Sequence, residues 1–507
     1  MSLDSESERE QLYKDEKTDF QYREIQRNHS DGQLSSVQVP AVNAVNVEEF
    51  KLYKRRWFVL LLVTLHATSA QMIWLSFSPV ATEAAEVYSV NPSSINLFSL
   101  IYLILSIPMG FVATWLLDTF GIRLSLILAS WVNTIGGIIR VLSTMDFVSS
   151  TYTFPVAMAG QVVAAMAYPV FISCPSKVSN KWFPKNHRTF ATMVASFPGG
   201  YLFANLISPR LFKDAEHLHG MQLLLIVYSI PAAVGTVLAT FGMCSSVPPT
   251  PPSAAAQQQD EPFWPGLKKI LRIKAYWLLL LCIGCGIGLF NAIILLLEQI
   301  LCSNGYPVIF SGICGALVIG VGLIGMITFS LILDITKLYE EITKIAMVIG
   351  VSSIIVFEMI LVIPDIEPVL IVLASLSGFG ILASVPLTLE LAVETTYPIA
   401  QATSAGLIIV SGHIQGIAYT FIMQALKRPL PEYKIKTQTC VQNATSSQDK
   451  ELPQDMTVST MFSGGLLAAA VIIFIVFFKT DCKRRKMELS ASVNVQKKEI
   501  SERTPVC

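Results

Sequence analysis

Charge is what this sequence has least of. Only 14% of its 507 residues are Asp, Glu, Lys or Arg, and 36 basic residues cancel 36 acidic ones to a formal net charge of zero. A chain without a basic excess lacks the electrostatic footprint of a nucleic-acid binder, so no nucleic-acid partner is expected. There is no H-E-x-x-H, G-x-S-x-G or P-loop pattern, and the loops between apolar stretches are too short to fold a domain, so the chain does not read as an enzyme. Cys282 and Cys285 make a C-x-x-C with no second pair, which argues against zinc. The nine cysteines, scattered mostly among apolar stretches, read as reduced structural thiols. His66, His413 and the Cys174-Pro175 pair offer ligand chemistry within apolar stretches, but no spacing among them makes a haem site. Neither a metal nor a cofactor is therefore expected. The first fifty residues are polar and acid-rich, without the apolar run and small-residue cleavage site of a secretory leader, and read as a disordered tail.

What the sequence has instead is hydrocarbon. Hydrophobic residues make up 52% of the chain and the mean hydropathy is +0.56, values that do not suit a soluble globule. About twelve apolar stretches run through 57–80, 95–117, 124–142, 154–178, 190–212, 221–243, 276–301, 308–333, 345–363, 369–393, 402–426 and 461–478. Each is near the ~20 residues that a helix needs to cross a bilayer, and in lipid a lone strand cannot satisfy its own backbone. The expected fold class is all-α, with twelve transmembrane helices in two six-helix bundles. Basic residues gather in alternate loops, among them Lys54, Arg55, Arg56, Arg123, Lys181, Lys185, Lys268, Lys269, Lys337 and 483–486, which predicts both termini on the cytoplasmic side. Residues 1–53 and 480–507 then form cytoplasmic tails, and 54–244 and 275–479 the two bundles. Residues 245–274 form a Pro/Gln linker that runs into a basic amphipathic segment.

The second stretch of each half ends alike. Trp115-Leu-Leu-Asp118 is followed by Gly121 and Arg123, and Leu331-Ile-Leu-Asp334 by Lys337, the two aspartates lying 216 positions apart (334 minus 118). This resembles the major facilitator superfamily. Its signature loop is matched at Asp118, Gly121 and Arg123 and departed from at Thr114 and Ile122. The resemblance implies a latch in which a carboxylate at a helix end pairs with basic residues of the opposing half and lets go as the halves rock. Simple interfacial solvation is the alternative. Further matches are Lys54-Arg-Arg-Trp57, Trp74, Ala113-Thr-Trp-Leu-Leu-Asp118, Pro175-Ser-Lys, Trp182-Phe-Pro and Glu390-Leu-Ala-Val-Glu394-Thr-Thr-Tyr397-Pro398. Together they resemble the feline leukaemia virus subgroup C receptor-related family over nearly the whole span region. That family is associated with choline and ethanolamine uptake, haem export and vitamin transport, so the resemblance implies a transporter of a small organic solute.

Polar side chains deep in a span are costly, so they are the default candidates for a solute path. Trp74, Tyr168, Asn291 and His413 fall near the middle or outer-middle of the first, fourth, seventh and eleventh spans, the helices that line the cavity in the superfamily. Gln71, Trp74 and Ser78 share one helical face by their spacing. An indole face holds a quaternary ammonium by cation–π attraction of about 2 kcal/mol once desolvated, which makes an organic cation or zwitterion a candidate cargo. Trp74 as packing or as an interfacial anchor is the competing reading. Choline-carrying relatives resemble this chain at Trp74 and differ at Tyr168, Asn291 and His413, so choline remains one candidate. Glu298, two turns beyond Asn291, is either a cation-attracting acid or a solvated one. Glu390 and Glu394 are assigned to the gate rather than to the solute site, and Glu358 to an interhelical hydrogen bond.

Asn443-Ala-Thr445 is a glycosylation sequon in the long loop before the last stretch, which the topology puts outside or in a lumen. The expected partners are a small-molecule solute and the bilayer, the expected state a monomer, and the expected residence the plasma or endolysosomal membrane. A non-transporting sensor or scaffold is the reading from a different class. Paired latch loops and a polar midplane favour transport.

Overall fold

The computed structural model describes residues 51–429 and 454–487, apart from 91, 146, 214–216, 258–260, 262, 364–365 and 481. The first half is built from α1 (Arg55–Leu75), α2 (Ala81–Tyr88), α3 (Pro92–Leu142), α4 (Ser150–Trp182), α5 (Arg188–Ala195), α6 (Gly199–Lys213) and α7 (His217–Gly242). Two short linker helices follow, α8 (Ala254–Gln257) and α9 (Phe263–Ile270). In the second half, α10 (Lys274–Leu278) passes through a π turn at Leu279–Ile283 into α11 (Gly284–Cys302). Then come α12 (Val308–Thr336), α13 (Tyr339–Ile360), α14 (Glu367–Thr396), α15 (Gln401–Ala425) and α16 (Thr457–Phe477). A two-residue ribbon, Arg428–Pro429 against Gln454–Asp455, is the one sheet among the described residues.

Eleven helical stretches among the described residues are long and apolar enough to cross a membrane, and the one over Leu97–Leu142 crosses twice. It breaks at Gly121, whose φ of 80° only a residue without a Cβ adopts readily, and a Cβ there would also lie 2.8 Å from Ser246 Oγ. Lys337 occupies the matching place in the second half, three residues after its aspartate, with φ 58° at the end of α12. Twelve crossings result, and the fold is all-α. Prolines at 108, 155, 169, 175, 231 and 386 sit inside these helices, a tolerance that neighbouring membrane helices permit.

The outer surface is apolar by design of the sequence. Leu124, Leu128, Trp131, Ile135, Ile138 and Leu142 are all exposed along one stripe of α3 at alternating steps of four and three. On a soluble protein this stripe would be an adhesive patch, whereas against lipid tails it is the solvated face. One buried apolar cluster runs through the first half from Val59 to Met243 and takes in Ala402 of the second, and another occupies the second half from Ile270 to Phe478. Because lipid gives helices no hydrophobic reason to associate, small residues let backbones close up. Gly136 of α3 meets Gly160 of α4, and Gly350 of α13 meets Gly380 of α14, so the two halves repeat the same contact.

Candidate functional site

Between the halves lies a cavity of about 170 Å³. Its walls come from α1 (Gln71), α4 (Tyr168, Phe171), α6 (Tyr201), α11 (Phe290, Asn291), α12 (Met326), α14 (Thr388) and α15 (His413). Among the described residues lining it, none carries a formal charge. It is smaller than the roughly 300–1,000 Å³ typical of sites for drug-sized molecules.

Gln71, Tyr168, Asn291 and His413 converge on this cavity from four helices. The Tyr168 ring stacks on His413 across the two halves, with centroids 6.3 Å apart. Its hydroxyl lies 3.4 Å from that of Tyr201. Gln71 holds α6 close: its Oε1 accepts the Gly200 N–H at 3.1 Å, and a Cβ on Gly200 would fall 2.3 Å from Gln71 Cβ. Trp74 lies one layer back. Its ring packs 5.7 Å from Tyr168, 5.5 Å from Tyr201 and 6.2 Å from Tyr102, and its N–H donates to the Ser99 carbonyl at 2.9 Å. It supports the aromatic wall and is not among the lining residues. Ser78 leaves the shared face expected for it, because α1 ends at Leu75 and a 3-10 turn begins at Ser78. Glu298 sits on α11, and its side chain lies outside the described residues. Tyr201, Phe171 and Phe290 were not anticipated. The Gly199-Gly200 step before Tyr201 was the available signal, since paired glycines in a span mark a close backbone approach.

The face that carries the linker is closed by three carboxylate clusters. Asp118 Oδ2 accepts the Thr403 N–H at 3.1 Å and the Thr403 hydroxyl, at the first turn of α15, while Oδ1 is 2.7 Å from Lys177 Nζ. Asp334 repeats the device in mirror: its oxygens accept the N–H groups of Thr189 (3.1 Å) and Phe190 (2.8 Å) in the first turn of α5, with Lys337 Nζ at 3.4 Å. Each carboxylate therefore caps a helix N-terminus of the opposite half, where the free N–H groups and the dipole favour negative charge. This corrects the expected pairing with basic residues of the opposing half: Lys177 and Lys337 belong to the same half as their aspartates. Burial pushes the Lys337 ammonium below its ordinary range, and Asp334 beside it opposes that shift. Its Nζ also donates across the halves to the Lys185 carbonyl at 2.5 Å. Among the described residues, Arg123 makes its hydrogen bonds within the first half and the start of the linker. It donates to the Cys244 carbonyl at 2.9 Å, and its N–H to Ser246 Oγ at 3.0 Å, fastening the Gly121 turn to the start of the linker.

The third cluster centres on Glu390 and Glu394, both buried. Glu390 Oε1 accepts from Ser179 (3.1 Å) and Thr192 (2.6 Å) of the other half. Elsewhere, two of the motifs singled out in the sequence meet each other, with the Arg56 guanidinium 5.3 Å over Trp57 and 5.5 Å over Phe183. Glu358 bonds to Ser463 of α16 at 2.7 Å, which supplies its interhelical partner.

The sequence profile of the Major Facilitator Superfamily matches residues 59–420. The chain belongs to this superfamily. Solute carrier family 49 member A3 of Danio rerio is 38% identical over 456 residues, 89% of this chain and 93% of that protein, and its Xenopus tropicalis counterpart is also 38% identical, over 87% and 91%. Choline/ethanolamine transporter FLVCR1 of Mus musculus is 31% identical over 73% of this chain and 69% of its own length. Within the superfamily, the chain thus falls in the feline leukaemia virus subgroup C receptor-related family. The proton:xylose symporter XylE superposes with a TM-score of 0.60 at 14% identity, covering 85% of this chain and 99% of that one. The fucose:proton symporter FucP of Escherichia coli gives 0.59 at 12% identity, over 84% and 98%. The protein is a multi-pass membrane transporter of small solutes that works by alternating access, and not an enzyme.

Proposed function

We propose that the cargo is a small organic cation or zwitterion of the choline and ethanolamine class. The observation that carries this reading is the character of the cavity: aromatic faces from Tyr168, Tyr201, Phe171 and Phe290, neutral amides from Gln71 and Asn291, and no formal charge on the described lining. A quaternary ammonium is held well by such a wall, because aromatic faces attract the cation without the hydration loss that a carboxylate would suffer. The relatives named as choline/ethanolamine transporters point the same way, and the cavity volume favours such a solute over a haem macrocycle. Gln71, Tyr168, Asn291 and His413 are proposed as contacts, with Trp74 stiffening the wall behind them. Glu298 is kept as a further candidate. Asp118, Gly121, Asp334, Lys337, Glu390 and Glu394 are proposed to gate the linker face, and Arg123 to hold the Gly121 turn.

We place both termini in the cytoplasm on the loop charges, and Asn443, which lies outside the described residues, on the other side as a glycan acceptor. The protein is taken to act as a monomer in the plasma or endolysosomal membrane. Direct binding tests the cargo. A ligand that binds only the folded state stabilises it by about 2.7 kcal/mol at a hundred times its Kd, so choline or ethanolamine should raise the melting midpoint of the purified protein in a saturable way. No shift with either compound, while the protein stays monodisperse, would reject the class.

A further inference from the structure

Beyond the last span the chain does not simply leave the membrane. Residues 483–487 form a helical turn that folds back beneath α14, and the Arg484 side chain is fully buried. Its Nε donates to Glu394 Oε1 and its Nη2 to Glu390 Oε2, both at 2.7 Å. The next residue adds its N–H to Glu394 Oε2 at 3.0 Å and its Nη1 to the Lys337 carbonyl at 3.3 Å. Upstream, Thr480 bonds to Thr395, and Lys344 donates to the Phe478 carbonyl, so the segment is fastened to the second half.

Glu390 and Glu394 stand one turn apart on the same face of α14, where like charges repel. Two buried carboxylates at that spacing stay ionised only if a cation is shared between them. A guanidinium does this with separate N–H groups in a rigid fork, whereas an ammonium is a point charge that sits well with one acid at a time. The consequence reaches across the protein. One oxygen of Glu390 is tied to Arg484, which leaves the other aimed at Ser179 and Thr192 in the opposite half. We infer that Arg484 is a positioning residue of the gate: fastened to the second half, the tail segment aims Glu390 across the interface, and without it Glu390 no longer holds the linker face shut.

The test follows opening directly and needs no cargo, so a wrong cargo assignment leaves its outcome untouched. In a full-length chain with native cysteines replaced by serine, Ala195→Cys places a reporter on a fully buried cavity position. A membrane-impermeant maleimide is then applied to sealed inside-out membrane vesicles, which expose only the linker side to the reagent. Arg484→Ala should raise the labelling rate on the order of tenfold, the size of a shift in a two-state population. Arg484→Lys should raise it less. Glu390→Gln should raise it as much, and adding Arg484→Ala to it should change nothing more, a non-additivity that general loosening of the fold would not produce. If Arg484→Ala does not reach the membrane, a protease site inserted after Lys479 allows the tail segment to be cut in folded protein, with the same rise expected. An unchanged labelling rate on removing Arg484 or cutting the tail segment, or simple additivity with Glu390→Gln, overturns the inference.

Discussion

Neutralising one latch separates its two jobs, because Asp118 makes bonds of two kinds. The bond to Lys177 lies within the first half and persists when the halves rock, so its loss lowers stability without favouring either state. The bonds from the Thr403 N–H and hydroxyl cross between halves and exist only while the linker face is closed. Bonds to a charged acceptor are worth about 1.5–3 kcal/mol and neutral ones about 0.5–1.5. Asp118→Asn should therefore weaken two inter-half bonds by about 1 kcal/mol each, or about 2 kcal/mol in all, which is roughly thirtyfold in the closed-to-open ratio. Spin labels at Asn186→Cys and Leu338→Cys, exposed positions on the linker face of opposite halves, report that ratio as a distance distribution in a cysteine-free background. The long-distance population should grow with Asp118→Asn and, by the mirrored geometry, with Asp334→Asn. A distribution unchanged by either substitution would reduce both aspartates to local solvation.

Tyr168→Ala should weaken binding of an organic cation by about 1–2 kcal/mol, near tenfold, while Tyr168→Phe keeps most of it, since the ring face is what the cation meets; equal losses by titration calorimetry would refute the aromatic-wall account. Trp74→Ala should cost stability first, about 3–5 kcal/mol for a large buried ring, seen as a lower melting midpoint, and an unchanged midpoint would contradict its supporting role. Gly200→Ala, whose Cβ would fall 2.4 Å from the Thr68 carbonyl oxygen, should destabilise by about 1–3 kcal/mol by forcing α1 and α6 apart, and a wild-type midpoint would refute that contact. Glycosidase should shift the mobility of wild type but not of Asn443→Gln; an epitope near position 443 that proves cytosolic would reverse the topology.

Length and apolarity made the twelve crossings legible, because every membrane helix must satisfy its own backbone in hydrocarbon. The ends were less so. The stretch expected at 345–363 begins at Tyr339, and the one expected at 154–178 runs over Ser150–Trp182, since a helix continues into water without an apolar signal. Such extensions matter, for Ser179 of the gate lies in one of them, and Asp118 and Asp334 stand just past the stretches expected at 95–117 and 308–333. At the cavity, depth counting found Tyr168, Asn291 and His413 because a polar group at mid-span stands out against leucine. It missed Tyr201 and Phe290 because an aromatic facing a cavity looks like one facing a neighbouring helix. Arg484 was invisible for the opposite reason. A basic run after a last span reads as solvated anchor charge, and only the fold reveals two buried acids waiting for it.

The central claim is that this cavity carries a small organic cation across the bilayer, and uptake of radiolabelled choline and ethanolamine into proteoliposomes tests it most directly. The account predicts saturable uptake that falls sharply with Tyr168→Ala through affinity and with Asp118→Asn through turnover. Wild-type protein that is folded and correctly inserted yet accumulates neither compound above protein-free vesicles would contradict it.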